Sequence, residues 1–311
     1  MKKVYGPGLV QIGASEAYLP LLQQFTEATH VLVTETQHTP WHRPGQPINL
    51  LALAPLRALR TLIVEGKDGG TTCTLCLHEL SQLQQLKLTN TLPQEALLPH
   101  GLTLLSLGLS HHGVQQQHDK LRSGPLLTKY SGHLRTLCLG DYMQQHNHDP
   151  ANLAALGCLQ ELEDLTVYFS KCLPTCVQFP FPKLKRLSTK LHDPNYCPRW
   201  DLSGCPALVR VKLLVRWATT RNLMDLSQVL NLRAEHLELG MALQGPGSTL
   251  TRSAISTTTW KLQSVEINLE HKGPAPASQC MCVQDLIGGL LGVVPFSRVH
   301  VQGQNLLELA G

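Results

Sequence analysis

Apolar residues recur along this chain in one short phrase: apolar, two residues, apolar, one residue, apolar. It reads ATHVLV from Ala28, LRTLIV from Leu59, LQQLKL from Leu83, LTLLSL from Leu102 and LRTLCL from Leu134. It continues as LEDLTV from Leu162, LKRLST from Leu184, LVRVKL from Leu208, AEHLEL from Ala234, LQSVEI from Leu262 and FSRVHV from Phe296. The eleven copies begin 19 to 34 residues apart, with a mean near 27. The first, seventh and last are the weakest, and in the seventh Thr189 fills the final apolar slot. Alternation across the last apolar pair marks a short strand with one buried face. A single strand of this kind cannot bury its face alone. Stacked copies build a parallel sheet over a continuous core.

Several copies extend three residues upstream, as in LRALRTLIV at 56–64, LSQLQQLKL at 80–88 and LQELEDLTV at 159–167. The segments between strands must return the chain across the other side of the core. Three of them read as helices. Asp149-Pro150 ahead of ANLAALGCLQEL is an N-cap followed by proline at the first helical position. Asn222 caps LMDLSQVL in the same way, and Pro47 opens INLLALAPL.

The repeated phrase resembles the leucine-rich repeat, over about residues 25–305. LSGCPALVRVKL at 202–213 and FPKLKRL at 181–187 resemble the irregular repeats of F-box leucine-rich proteins, in which a Cys-Pro or Phe-Pro turn precedes the strand. The resemblance implies an α/β leucine-rich repeat solenoid of about eleven degenerate repeats. That fold is a curved horseshoe with a parallel β-sheet on the concave face and helices and irregular loops on the convex face. Residues 1–24 are then an N-terminal flank or cap, and 306–311 a C-terminal tail. Two features depart from the family. Its usual Asn, three positions after the last strand apolar residue, is replaced by residues such as Thr91, Arg216, Ala242 and Glu270. No F-box is seen in the flank, where LPLLQQF at 19–25 is too short for that module.

Composition narrows the picture. Of 311 residues, 42% are hydrophobic, 5% aromatic and 15% charged, so Leu, Val and Ala must build the core. The net charge of +4 is too mild to argue for nucleic acid. The longest apolar candidate for a membrane span, LIGGLLGVVPF at 286–296, is short and broken by Gly and Pro. Lys2 and Lys3 are followed by GPG and not by the apolar run of a signal peptide. The ten cysteines are scattered and form no disulfide framework. The expected location is the cytoplasm, with cytoskeletal or ciliary association as a variant.

Candidate chemistry is sparse. Cys73-x-x-Cys76 with His78 supplies three zinc ligands and no local fourth, and Cys172/Cys176 and Cys280/Cys282 lie far off in a stacked fold. His111, His112 and His118, and likewise His146 and His148, sit in Gln-rich loops with no nucleophile at a meaningful spacing. Buried or loop thiols and solvated histidines account for these residues without a metal. No phosphate loop, nucleophile elbow, HExxH zinc motif or calcium loop occurs. Neither cofactor, metal nor catalytic residue is expected, and the chain reads as non-catalytic.

The remaining functional surface is the exposed face of the sheet. Counting each phrase from its first apolar residue, positions 4 and 6 point into the core and positions 3, 5 and 7 to solvent. On that face copies seven and eight are basic. Segment 183–216 carries eight Lys and Arg against two Asp, a charge of +6 where the whole chain has +4. Arg186, Lys190, Arg210 and Lys212, with Tyr168 on the adjacent strand, are the expected partner-binding residues. The expected partner is a protein with an acidic or phosphorylated segment. The patch is short and poor in stacking aromatics, which argues against nucleic acid. Protein recognition in a ubiquitin-ligase setting is the leading expectation. A cytoskeletal or ciliary scaffold and a GTPase regulator are the alternatives, and oligomeric state is left open.

Overall fold

The structure is a computed structural model that describes residues 3–4, 9–13, 25–34, 48–66, 71–89, 91–108, 132–139, 157–169, 176–191, 199–218, 229–230, 234–243, 262–271 and 299–303. Two compact units divide the chain. Unit 1 is Met1–His146 with Ala154–Glu161, and unit 2 is Asn147–Leu153 with Leu162–Gly311.

Unit 1 contains β1 (Lys3–Val4), β2 (Leu9–Gly13), β3 (His30–Thr34), β4 (Ile48–Asn49), β5 (Thr61–Glu65), β6 (Thr71–Cys76), β7 (Gln85–Thr89), β8 (Thr91–Leu97), β9 (Leu104–Gly108) and β10 (Thr136–Leu139). Its larger sheet runs β1-β2-β3-β5-β7-β9-β10, parallel throughout except for the antiparallel β1. The return segments pair into a second parallel sheet, β4-β6-β8. Within the N-terminal flank, β2 therefore adds a parallel strand that the repeated phrase does not announce.

Unit 2 contains β11 (Asp164–Phe169), β12 (Cys176–Gln178), β13 (Arg186–Leu191), β14 (Arg199–Asp201), β15 (Arg210–Ala218), β16 (Val229–Leu230), β17 (His236–Leu243), β18 (Ser264–His271) and β19 (Val299–Gly303). Its larger sheet is β11-β13-β15-β17-β18-β19, all parallel, and β12-β14-β16 form the second sheet. In both units one strand per repeat stacks in register on the next, the arrangement of a repeat solenoid.

All eleven copies of the phrase lie on these strands, and ten strands begin at its third position. Positions 1, 4 and 6 are buried wherever their side chains are described. Leu59, Leu62 and Val64 in unit 1 and Leu184, Leu187 and Thr189 in unit 2 show the column, each no more than 1% exposed. The upstream extension also has a structural cause. Leu56 N–H donates to Leu53 O and Leu59 N–H to Leu56 O; Leu80 and Leu83 repeat the pattern on Leu77 and Leu80. Each leucine closes a three-residue turn on the one before. Residues three apart eclipse in such turns, so all of them face the core.

The same spacing corrects the helix expected after Pro47. Ile48–Asn49 form β4, and Leu50–Leu53 form a single 3-10 turn, the one helical element among the described residues. A three-residue leucine period suits successive tight turns and not a 3.6-residue helix, and Pro55 would break one. Of the segment after Asn222, Val229–Leu230 form β16, paired to Trp200 and Asp201. The rest of it, and residues 149–156 of the third expected helix, lie outside the described residues; Gly157–Glu161 are turns.

Backbone groups at the strand entrances are satisfied without an Asn ladder. The carbonyl of position 2 in one copy accepts N–H groups from positions 2 and 3 of the next. Thr29 O accepts from Arg60 (2.8 Å) and Thr61 (3.0 Å), and Lys185 O from Val209 (2.8 Å) and Arg210 (2.9 Å). At the exits, three slots where the family's Asn belongs, Arg216, Ala242 and Glu270, lie inside strands that run on for eight or nine residues. Ala242 and Glu270 pair with each other in the ladder, and Arg216 falls where the register between β15 and β17 shifts. In the third copy, Thr91 Oγ1 donates to Thr89 O at 3.0 Å, and Gly66 N–H donates to the same oxygen.

Candidate functional site

The basic copies of unit 2 sit on strands whose register fixes their neighbours. Asp164, Arg186, Arg210, His236 and Ser264 form one row across the sheet. Ser188, Lys212, Glu238, Glu266 and His300 form the next. Tyr168, Lys190, Leu214, Gly240 and Asn268 form the third. Strand spacing near 4.8 Å places Arg186 beside Arg210 as expected. The backbones of Tyr168 and Lys190 pair in register, and their side chains lie outside the described set.

The cations differ in their partners. Arg186 is bidentate on Asp164: Nε donates to Oδ1, and Nη2 donates to Oδ2 at 2.6 Å. The carboxylate raises the guanidinium pKa above its ordinary value, chiefly through that hydrogen bond. Lys212 Nζ donates to Glu238 Oε1. Beside this face, at the strand entrance, Lys185 Nζ donates to Glu163 Oε2 at 2.7 Å. Arg210 is exposed, and its guanidinium has no partner among the described residues. Two of the four expected cations, Arg186 and Lys212, are therefore neutralised by acidic neighbours on adjacent strands. Sequence position alone did not reveal this, because Asp164 and Glu238 are 22 and 26 residues from the cations they pair with.

The acidic side is equally ordered. Glu238 and Glu266 are direct neighbours in register, an unfavourable pairing of like charges. Lys212 offsets the first, and Asn268 Nδ2 donates to Glu266 Oε1 at 3.1 Å and to Glu238 Oε1 at 3.4 Å. His236 Nδ1 and Ser264 Oγ share a hydrogen bond of 2.5 Å, and His236 Nε2 lies 4.0 Å from the Glu235 carboxylate. Leu214 lies over the Cα of Gly240, where a Cβ would strike its Cδ2, so the third row offers a small apolar spot beside the charges.

Cys205 is buried, donates to Phe179 O at 3.0 Å, and has its pKa pushed up to about 11 by burial. Cys138 is half-buried and shifted upward by burial, against a hydrogen bond with Ser106 and the charge of Lys87. Cys76 is a half-buried free thiol. Among the described residues no group of three or more His, Cys, Asp or Glu gathers as a metal site. His111, His112, His118, His146, His148, Cys172, Cys280 and Cys282 lie outside them. Among the described residues no helix is long and apolar enough to cross a membrane.

Comparison of the chain with protein-family models gives no match, and comparison with curated proteins gives none.

Proposed function

We propose that this chain is a non-catalytic protein-recognition module of the leucine-rich repeat class, with repeats like those of F-box leucine-rich proteins, and that it holds a substrate protein in a cytoplasmic ubiquitin-ligase setting. The unit 2 sheet face is its docking platform, and an acidic or phosphorylated segment of the partner is its ligand. The observation that carries this reading is Arg210, an exposed guanidinium inside the parallel sheet of unit 2 with no carboxylate partner among the described residues. A planar fork of donors suits a carboxylate or phosphate. Arg186 lies beside it in register, and Lys212 two residues further along its own strand.

The test is binding of the full chain to a panel of acidic and phosphorylated peptides by fluorescence anisotropy. Charge-assisted hydrogen bonds contribute about 1.5–3 kcal/mol, so Arg210→Glu is expected to weaken capture at least tenfold while leaving the thermal melt unchanged. Equal binding by wild type and variant overturns the reading.

A further inference from the structure

The unit 2 face carries two poles of opposite sign. On the positions that face solvent, Arg186 is matched by Asp164 and Lys212 by Glu238. With those pairs set aside, one cation and one carboxylate remain among the described side chains: Arg210 and Glu266. Glu266 is held by an amide from Asn268 and has no cation among the described residues. We infer that the face selects a dipolar segment, an extended peptide with an acidic or phosphorylated residue at one position and a Lys or Arg four residues away. This inference rests on the recognition reading above and specifies the ligand of that site.

The spacing follows from the register. Arg210 aligns with His236 and Ser264, and Glu266 lies two residues beyond Ser264 on that strand. Two strand spacings of about 4.8 Å and two residue rises of about 3.3 Å put the two Cα positions roughly 12 Å apart. In an extended peptide, residues i and i+4 are about 13 Å apart and their side chains share one face. Residues i and i+3 point to opposite faces, and i and i+2 are too close to reach both poles. A uniformly acidic segment meets Arg210 favourably and then lays its next carboxylates over Glu266 and Glu238, a juxtaposition that costs affinity. The acidic pair thus acts as the discriminating element and Arg210 as the anchor.

The experiment uses the full chain and four labelled peptides of equal length. They carry an acid with Lys at i+4, the same acid with Lys at i+1, an acid at both positions, and Lys at both. The expected order places the i+4 dipolar peptide at least tenfold ahead of the uniformly acidic one. Glu266→Gln should bring those two within about twofold, and Glu266→Lys should reverse their order. Arg210→Gln should weaken every acid-bearing peptide. A wild-type preference for the uniformly acidic peptide that disappears in Arg210→Gln overturns this inference and leaves the recognition reading standing. Binding of no peptide overturns both. Sedimentation showing a dimer lost in both Arg210→Gln and Glu266→Lys also overturns it, because the opposite poles are then satisfied by a second copy of the chain. Thermal melts of the Gln variants, which keep size and polarity, separate lost recognition from lost folding.

Discussion

Through the middle of unit 1 the solvent-facing row runs Gln11, Leu32, Ile63, Lys87, Ser106 and Cys138. The equivalent row of unit 2 runs Thr166, Ser188, Lys212, Glu238, Glu266 and His300. Leu32 and Ile63 are half-exposed aliphatic neighbours, and Leu104 joins them one row away. Beneath both rows lie the same buried columns of Leu and Val. The repeat constrains alternate positions alone. Once positions 1, 4 and 6 are apolar, the face above is free to diverge: one unit sets an aliphatic pair, Leu32 and Ile63, among polar residues, and the other pairs its charges.

The shared part of the comparison carries the largest expected effects. Leu62→Ala in unit 1 and Leu187→Ala in unit 2 both empty a fully buried column position. Each should cost about 2–5 kcal/mol in chemical denaturation. A near-neutral result at either position would mean that the two units are not built on equivalent cores.

The next effect separates the turns that feed the strands. In unit 2 a Cβ on Gly204 would lie 2.6 Å from Phe179 O and 2.9 Å from Pro180 Cα, both backbone atoms that cannot swing away. In unit 1 a Cβ on Gly101 would lie 3.2 Å from Ser81 O, and one on Gly132 would meet nothing within 4 Å. Gly204→Ala should therefore cost about 1–3 kcal/mol, the usual range for overpacking. Gly101→Ala should cost less and Gly132→Ala least, read from midpoint shifts in one denaturant series. Any other order breaks the account of the Cys-Pro turn, in which Gly204 lets Cys205 approach the Phe179 carbonyl.

How much of this was legible in the sequence depends on the range of the cause. Period-2 alternation is local, so the phrase located the strands and, wherever their side chains are described, the buried positions. The three-residue leucine spacing is equally visible, and its cause is a chain of tight turns, not the strand pattern it adjoins. The helix expected after Pro47 was misread for the same reason. Strand β2 escaped because LVQIG lacks the upstream apolar residue that begins the phrase. The charges were hardest. Their row positions followed from alternation, whereas their partners depend on register between strands more than twenty residues apart. Lys212 reads as a free cation until Glu238 is placed beside it.

One slot was flagged by sequence and explained by packing. Thr189 occupies position 6 of its copy, is fully buried, and its Oγ1 has no hydrogen-bond partner among the described residues. The other described occupants of that position are apolar, Val64 in unit 1 among them. A buried unsatisfied hydroxyl costs about 1–3 kcal/mol. Thr189→Val should recover about 1 kcal/mol and raise the melting temperature. Val64→Thr should install the same defect in unit 1 and lower it. If Thr189→Val destabilises the protein, the hydroxyl has a partner and the column is not apolar throughout.

The smallest effects belong to the ion pairs that distinguish the unit 2 face. Both pairs are solvent-accessible, with Arg186 at 68% and Lys212 at 38% side-chain exposure. Exposed pairs contribute about 0.2–1 kcal/mol. Double-mutant cycles on Arg186/Asp164 and Lys212/Glu238 should return coupling within that range, larger for the bidentate arginine. Raising salt from about 0.01 M to 1 M shortens the Debye length from roughly 30 Å to 3 Å and should shrink both couplings. Lys87→Gln on the unit 1 face should change neither cycle. Couplings this small leave stability to the columns beneath. The pairs instead fix where charge stands on the face: they neutralise Arg186 and Lys212 and leave Arg210 and Glu266 without a charged partner among the described residues. A coupling above 2 kcal/mol would reverse that assignment and make the charged rows part of what holds unit 2 together.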